Sequence, residues 1–355
     1  MKTKISIFLV FLWNVSTCSL GEIKPTFLLK HKNATMPVVV RGNLESNVLI
    51  VFLHGGPGGT AFRKIGTRAF VKLEEDFGIV YWDQRGAETA RGGTGKELMS
   101  LDQFVEDLDV LIDRLKKLYP QVSIFLMGHC WGGGLGTAFL IDKDRQSKVA
   151  GWIDVAGAHN NPKGDSLSVA WVKAHAMKMI SQNEDVQYWS RALKWYDENP
   201  SFKSDQLGHY QFVRKAHGYQ LVEGDSLGLF PCYTQKDLLI RPVKYISYYL
   251  NYYNTLSKFI ISDIDLTPHM HKITVPSLIL WGKKDGLIPV PMAYEAYTAL
   301  GTPEAQKHLV LMEETAHTIF YEQPQLFVMN IKQFINSYTG EKLREINEMV
   351  SSDSQ

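Results

Sequence analysis

Cysteine is scarce in this chain: there are three in 355 residues and no Cys-x-x-Cys pair. That excludes a disulfide scaffold and argues against a zinc ribbon. Neither sign of charge dominates. Lys and Arg total 38 against 37 Asp and Glu, a formal net charge of +1. A nucleic-acid binder usually carries a basic excess or stripe, so no nucleic-acid partner is expected. Past Gly21 no apolar run compares in length with the one near the N-terminus, so no membrane span is expected in the mature protein. No internal repeat is evident. What the chain does have is apolar surface, with 45% hydrophobic and 21% charged residues. Those are globular proportions, enough for one large core or two smaller ones, and they exclude wholesale disorder.

Residues 1–21 have the make-up of a secretory signal. Lys2 and Lys4 form a basic start, residues 5–13 are apolar, and Ser19 and Gly21 suit cleavage before Glu22. Two other readings stand beside it. Val15-Ser16-Thr17-Cys18 loosely resembles a bacterial lipobox, which makes Cys18 a lipid anchor, although Thr17 is unusual there. The segment also fits a buried N-terminal strand or helix. The expected location is therefore secreted or periplasmic, with lipid anchoring to a bacterial membrane as the alternative.

Beyond residue 22 the pattern alternates strand and helix. Residues 48–53, 78–82, 123–127, 151–155, 277–281 and 308–312 are apolar runs of strand length. Such runs suit parallel strands buried on both faces. Phe104, Leu108, Leu111 and Leu115 form a helical stripe, with Ser100 and Gln103 as a capping box and Pro120 beyond the end. The reading is an α/β protein with a mostly parallel, doubly wound sheet. Alternation stops over residues 161–265, which are helical in pattern and rich in aromatics. Trp171, Trp189 and Trp195 lie in the first half, and Tyr245, Tyr248, Tyr249, Tyr252 and Tyr253 at helical spacing in the second. These rings suit either a subdomain core or the lining of a pocket under a cap. The expected organisation is a core over 22–160 and 266–340, a helical cap over 161–265, and a polar, frayed tail over 341–355.

Gly128-His129-Cys130-Trp131-Gly132 follows the third buried run and opens a Gly-rich helix. It has the form of a nucleophile elbow, with cysteine where serine is usual. The glycines leave room for a sharp strand-to-helix turn, and the helix N-terminus favours a thiolate. Asp285 closes Trp281-Gly282-Lys283-Lys284-Asp285, just past a late strand, and His317 follows the final one. Nucleophile, acid and histidine in that order suit acyl transfer. His317 draws the proton from Cys130 or pairs with its thiolate, and Asp285 orients the imidazole. His54-Gly55-Gly56-Pro57-Gly58 ends the first buried run. Backbone N–H groups of Gly56 and Trp131 are the candidate oxyanion donors.

These motifs resemble the α/β-hydrolase superfamily and, within it, the proline iminopeptidase-like branch of serine peptidases. The resemblance rests on residues 54–58, on Trp82-Asp83-Gln84-Arg85-Gly86 and on the elbow with Trp131. It implies an α/β-hydrolase fold with an inserted helical cap, and no metal or organic cofactor. Two positions depart from the family. Cys130 replaces serine, as in dienelactone hydrolases of the same superfamily. It is read as a reactive nucleophile, with a crippled site or an inert buried thiol as the other readings. Iminopeptidases also hold the substrate amine with cap carboxylates, typically a glutamate after a tryptophan. Here Trp195 is followed by Tyr196, Asp197 and Glu198, which suit an amine site or merely an exposed charged face.

Other signals are weaker. Asp83 and Arg85 are expected to brace loops near the site through hydrogen bonds, with a substrate-facing role as the alternative. His269 and His271 share one face if extended, but no third metal ligand is evident. His129 fills a variable slot of the elbow. Asn33-Ala34-Thr35 is a glycosylation sequon, meaningful in a eukaryotic secretory pathway. Cys232 is a plain buried thiol or, if the cap folds it over the elbow, a disulfide partner that silences Cys130. The expected function is a secreted hydrolase of small esters, thioesters or short peptides. A hydrolase-fold protein that binds without turnover is the alternative. Epoxide hydrolase and haloalkane dehalogenase chemistry need an aspartate at the elbow, so Cys130 counts against both. The sequence carries no signal for oligomeric state.

Overall fold

A computed structural model describes residues 25–200, 205–221 and 263–352, with side chains to Thr339. The proposed leader 1–21, Cys18, Cys232 and the tyrosines 245–253 lie outside the described residues. Among the described residues the sheet has nine strands: β1 (Phe27–His31), β2 (Ala34–Gly42), β3 (Val48–Leu53), β4 (Gly78–Trp82), β5 (Arg91–Gly92), β6 (Ser123–His129), β7 (Gly151–Val155), β8 (Ser277–Gly282) and β9 (Lys307–Met312). Their order is β1-β2-β4-β3-β6-β7-β8-β9, with β5 paired to β2. From β4 to β9 every pairing is parallel; β1, β2 and β5 are antiparallel additions.

The apolar runs read as strands are strands, and β3 shows why its run is continuous. Leu49, Val51 and Leu53 face one core, with Leu108, Leu126 and Trp131. Val48, Ile50 and Phe52 face the other, with Phe70, Met127 and Phe320. Side chains alternate between faces, so a strand covered on both sides must be apolar at every position. Helices α1 (Arg68–Asp76), α2 (Leu101–Leu118) and α3 (Trp131–Leu140) follow β3, β5 and β6. In α2 the Ser100 hydroxyl accepts from the Gln103 N–H, and Phe104, Leu108, Leu111 and Leu115 are buried.

Between β7 and β8 lie α4 (Asn161–Ser181), α5 (Val186–Glu198) and α6 (Gln206–Lys215). They share a small core of Val172, Ala176, Trp189, Ala192, Tyr196 and Val213. A buried polar chain ties them to each other and to the sheet. Tyr196 OH meets His209 Nδ1 at 2.7 Å, His209 Nε2 meets the Ser168 hydroxyl at 2.9 Å, and that hydroxyl donates to the Gly286 carbonyl at 2.5 Å. Burial lowers the pKa of His209 to about 4, so the chain is held by a neutral ring.

The chain closes with α7 (Pro291–Ala299) and α8 (Pro324–Ser352). The segment 341–355, expected to be a frayed polar tail, is helical through Ser352. Glu341, Lys342, Leu343, Arg344 and Glu345 are strong helix formers that extend an existing helix without a new nucleus. No helix among the described residues is long and apolar enough to cross a membrane.

Candidate active site

The chemistry-bearing residues stand beyond the C-terminal ends of the parallel strands. Cys130 follows β6, Asp285 follows β8, His317 follows β9, Gly56 follows β3, and Asp83 and Arg85 follow β4. Crevices at these ends are where open α/β sheets bind ligands.

The elbow is sterically demanding. A Cβ on Gly128 would lie 2.3 Å from the Gly132 carbonyl oxygen, and one on Gly132 would lie 2.0 Å from the Leu53 oxygen. Between them Cys130 adopts φ +56° and ψ −120°, a conformation that L-residues avoid. The turn is held from both sides. The Cys130 N–H donates to the Val155 carbonyl at 3.1 Å, and its own carbonyl accepts from Ala158 at 2.9 Å and Gly133 at 2.9 Å. The thiol is half-buried. Backbone N–H groups of Gly56 and Trp131 make no hydrogen bond among the described residues.

Asp285 is buried and fully engaged. Its Oδ1 accepts from the Leu287 and Ile288 N–H groups at 2.8 Å each, and its Oδ2 accepts from His317 Nδ1 at 2.8 Å. Burial alone would lower the His317 pKa. The Asp285 carboxylate and the adjacent Cys130 sulfur outweigh it and hold the imidazole well above the usual histidine range. Nε2 of His317 is buried, has no hydrogen-bond partner among the described residues, and is the ring nitrogen not taken by Asp285.

The surrounding loops are braced by residues with their own saturated partners. Asp83 accepts from Thr60 Oγ1 at 2.8 Å, from the Ala61 N–H at 2.8 Å and from the Thr89 hydroxyl; burial still pushes its pKa up to about 6. Arg85 forks onto Asp107 with two contacts of 2.8 Å and donates to the carbonyls of Gly93, Lys32 and His31, with both members of the pair wholly buried. Neither carries a free group toward a substrate, which leaves the bracing role. Gln84, between them, was not singled out by sequence. Its Oε1 accepts from Trp131 Nε1 at 2.9 Å and its Nε2 donates to the His54 carbonyl at 3.3 Å, joining the elbow to the 54–58 loop.

His129 also did more than its variable slot suggested. Its ring lies 4.7 Å from that of His317, and its Nε2 meets the His317 carbonyl at 3.1 Å. Burial, then the His317 charge, holds its pKa well below the usual range, so it donates as a neutral ring. Tyr219 had no signal in the sequence. Its ring is 5.6 Å from His317 and its carbonyl accepts the His317 N–H at 3.1 Å. Trp171, read as either core or lining, packs against Gly218 and Gly286 beside the Asp285 turn.

Two readings left open by the sequence are decided. Asp197 and Glu198 are surface groups facing Lys173 and Lys194, so the carboxylates after Trp195 are not an amine site. Tyr196 turns inward in their place, because the buried stripe of α5 runs Trp189, Ala192, Tyr196. His269 and His271 sit in a 3-10 turn, Thr267–Lys272, not in an extended segment, and His271 Nδ1 bonds the Pro268 carbonyl at 2.9 Å. Among the described residues no group of three His, Cys, Asp or Glu has the arrangement to hold a metal. Asn33 is exposed at the apex of the β1–β2 hairpin, at φ +63°.

Comparison with known proteins agrees with this architecture. The chain is 24% identical over 315 residues to a probable aminopeptidase, YbaC, of Bacillus subtilis, covering 85% of this chain and 93% of that protein. It is 25% identical over 295 residues to a proline iminopeptidase of Heyndrickxia coagulans, covering 81% and 90%. The crystal structure of proline iminopeptidase from Mycobacterium smegmatis superposes with a TM-score of 0.62 at 14% identity, covering 88% and 98%. The model of the alpha/beta hydrolase fold family matches residues 48–324, which hold the elbow, Asp285 and His317. The chain belongs to the α/β-hydrolase fold family and is similar to its proline iminopeptidases over most of its length.

Proposed function

We propose that this protein is a hydrolase of the aminopeptidase or esterase type that acts by covalent acyl transfer through Cys130. The observation that carries this is the buried Asp285–His317 pair, bonded at 2.8 Å and set beside the strained elbow cysteine. Cys130 attacks the acyl carbonyl as a thiolate, and its proton resides on His317 Nε2. Asp285 fixes the ring and stabilises its charged form. The N–H groups of Gly56 and Trp131 hold the oxyanion. Collapse of the adduct expels the alcohol, thiol or amine, which takes the proton from His317. Water, deprotonated by His317, then attacks the acyl-thioester and frees the carboxylic acid and the thiol. Substrates are small esters, thioesters or short peptides admitted beneath α4–α6. The N-terminal segment 1–21 supports export as a secreted or periplasmic protein.

Hydrolysis of an activated acetate ester and of a proline anilide, measured under reductant, tests the proposal. The native protein turns over at least one, Cys130→Ala abolishes it, and the preferred substrate separates esterase from aminopeptidase. A silent native protein with an active Cys130→Ser variant would make it a binding protein with an intact site and the wrong nucleophile.

A further inference from the structure

One carboxylate, Glu322, bonds both the loop around His317 and the chain that leaves the helical insertion. It lies one turn after His317, in the short helix Ile319–Glu322. Its Oε2 accepts the Ala316 N–H at 2.9 Å and its Oε1 accepts the Thr318 hydroxyl at 3.1 Å, so it grips the residues on both sides of His317. The same Oε2 accepts the Leu221 N–H at 3.4 Å. Leu221 belongs to a strap, residues 218–221, that follows α6 and runs beside the Asp285 and His317 loops. The strap returns the grip: the Tyr219 carbonyl accepts the His317 N–H at 3.1 Å and the Thr318 hydroxyl at 3.5 Å. One residue beyond Asp285 the strap makes a further contact, where the Gly286 N–H donates to the Gly218 carbonyl at 2.8 Å.

Glu322 faces no cation at salt-bridge distance among the described residues. Its oxygens are satisfied by the N–H and O–H donors around His317 and on the strap. A carboxylate held this way sets backbone position rather than local charge balance. We infer that Glu322 is a positioning residue for His317, and that through it the strap couples the helical insertion to the general base. Movement of the insertion over a bound substrate is then felt at His317, as an effect on turnover more than on binding. A displacement of about 1 Å at such a group can cost ~100-fold in rate.

The inference rests on His317 as the general base proposed above, so its test needs a readout besides activity. In Glu322→Ala, kcat should fall about tenfold or more, with KM within about twofold. The low-field proton resonance of His317 Nδ1–H, which reports its bond to Asp285, should weaken or exchange faster. Glu322→Gln keeps the volume and one acceptor oxygen and should recover most of both signals. Thr318→Val removes one hydroxyl donor and should give a smaller loss of the same kind; it carries the test if Glu322→Ala fails to fold. Native kcat and a native His317 resonance in these variants would overturn the inference, as would a Gln variant as damaged as Ala while that resonance stays native. Hydrolysis that persists in His317→Ala would instead remove the proposed mechanism, and the resonance would still judge Glu322.

Discussion

Two buried aspartate–histidine sets lie at neighbouring strand ends, and they behave in opposite ways. Asp285 and His317 are bonded at 2.8 Å, and the histidine is held well above its usual pKa. Asp154, in β7, and His159, in the loop after it, are equally buried but not bonded. Among the described residues Asp154 Oδ1 and His159 Nε2 have no hydrogen-bond partner. Burial pushes the Asp154 pKa up to about 7 and the His159 pKa down. The difference lies in orientation. Two backbone donors fix Asp285 Oδ1 and leave Oδ2 turned toward the imidazole. Asp154 has one backbone donor, from Gly157, and His159 turns its Nδ1 to the Gly157 carbonyl at 3.3 Å. The same two residue types thus make a bonded pair with a raised histidine pKa in one place, and an unbonded pair with a raised acid and a lowered histidine in the other.

The largest expected effect breaks the bonded pair. Asp285→Asn removes the charge and permits the wrong tautomer, so kcat should fall about 10²–10⁴-fold in steady-state assays. Asp154→Asn should leave kcat within about twofold. It should instead change stability, and the sign follows from the raised pKa. The folded protein holds that proton more tightly than the unfolded chain, so the native protein loses stability as pH rises from about 4 to about 7. The asparagine variant lacks that loss, so it should gain up to about 4 kcal/mol at pH 8 and little at pH 4 in chemical denaturation. The smallest effect is expected at the second histidine. His159→Gln should change stability by about 1 kcal/mol or less, because the ring it replaces is already neutral and makes one long hydrogen bond. Equal kinetic losses in Asp154→Asn and Asp285→Asn would end the contrast.

Much of the parallel core was legible because burial on both faces forces continuous apolar runs. Their punctuation placed Cys130, Asp285 and His317 at strand ends. The antiparallel edge was harder to see. In β1 and β2 buried and open positions are mixed, and Lys32 and Asn33, at φ +40° and +63°, turn the hairpin without glycine. Partners reached across long sequence separations were not legible either. Nothing local to Tyr219 or Glu322 signals that each bonds the loop around His317. For Asp197 and Glu198 the sequence left an amine site and an exposed face both open, because adjacency to a tryptophan does not say which face of a helix a carboxylate occupies.

Covalent capture would show whether Cys130 is the nucleophile. The native protein would be mixed with an activated acetate ester under reductant, quenched within the first turnovers, and weighed intact before peptide mapping. One acetyl group is expected, located on Cys130, absent from Cys130→Ala and lost with time as hydrolysis proceeds. Turnover of the ester with no acyl group on Cys130, and undiminished in Cys130→Ala, would show that Cys130 is not the nucleophile.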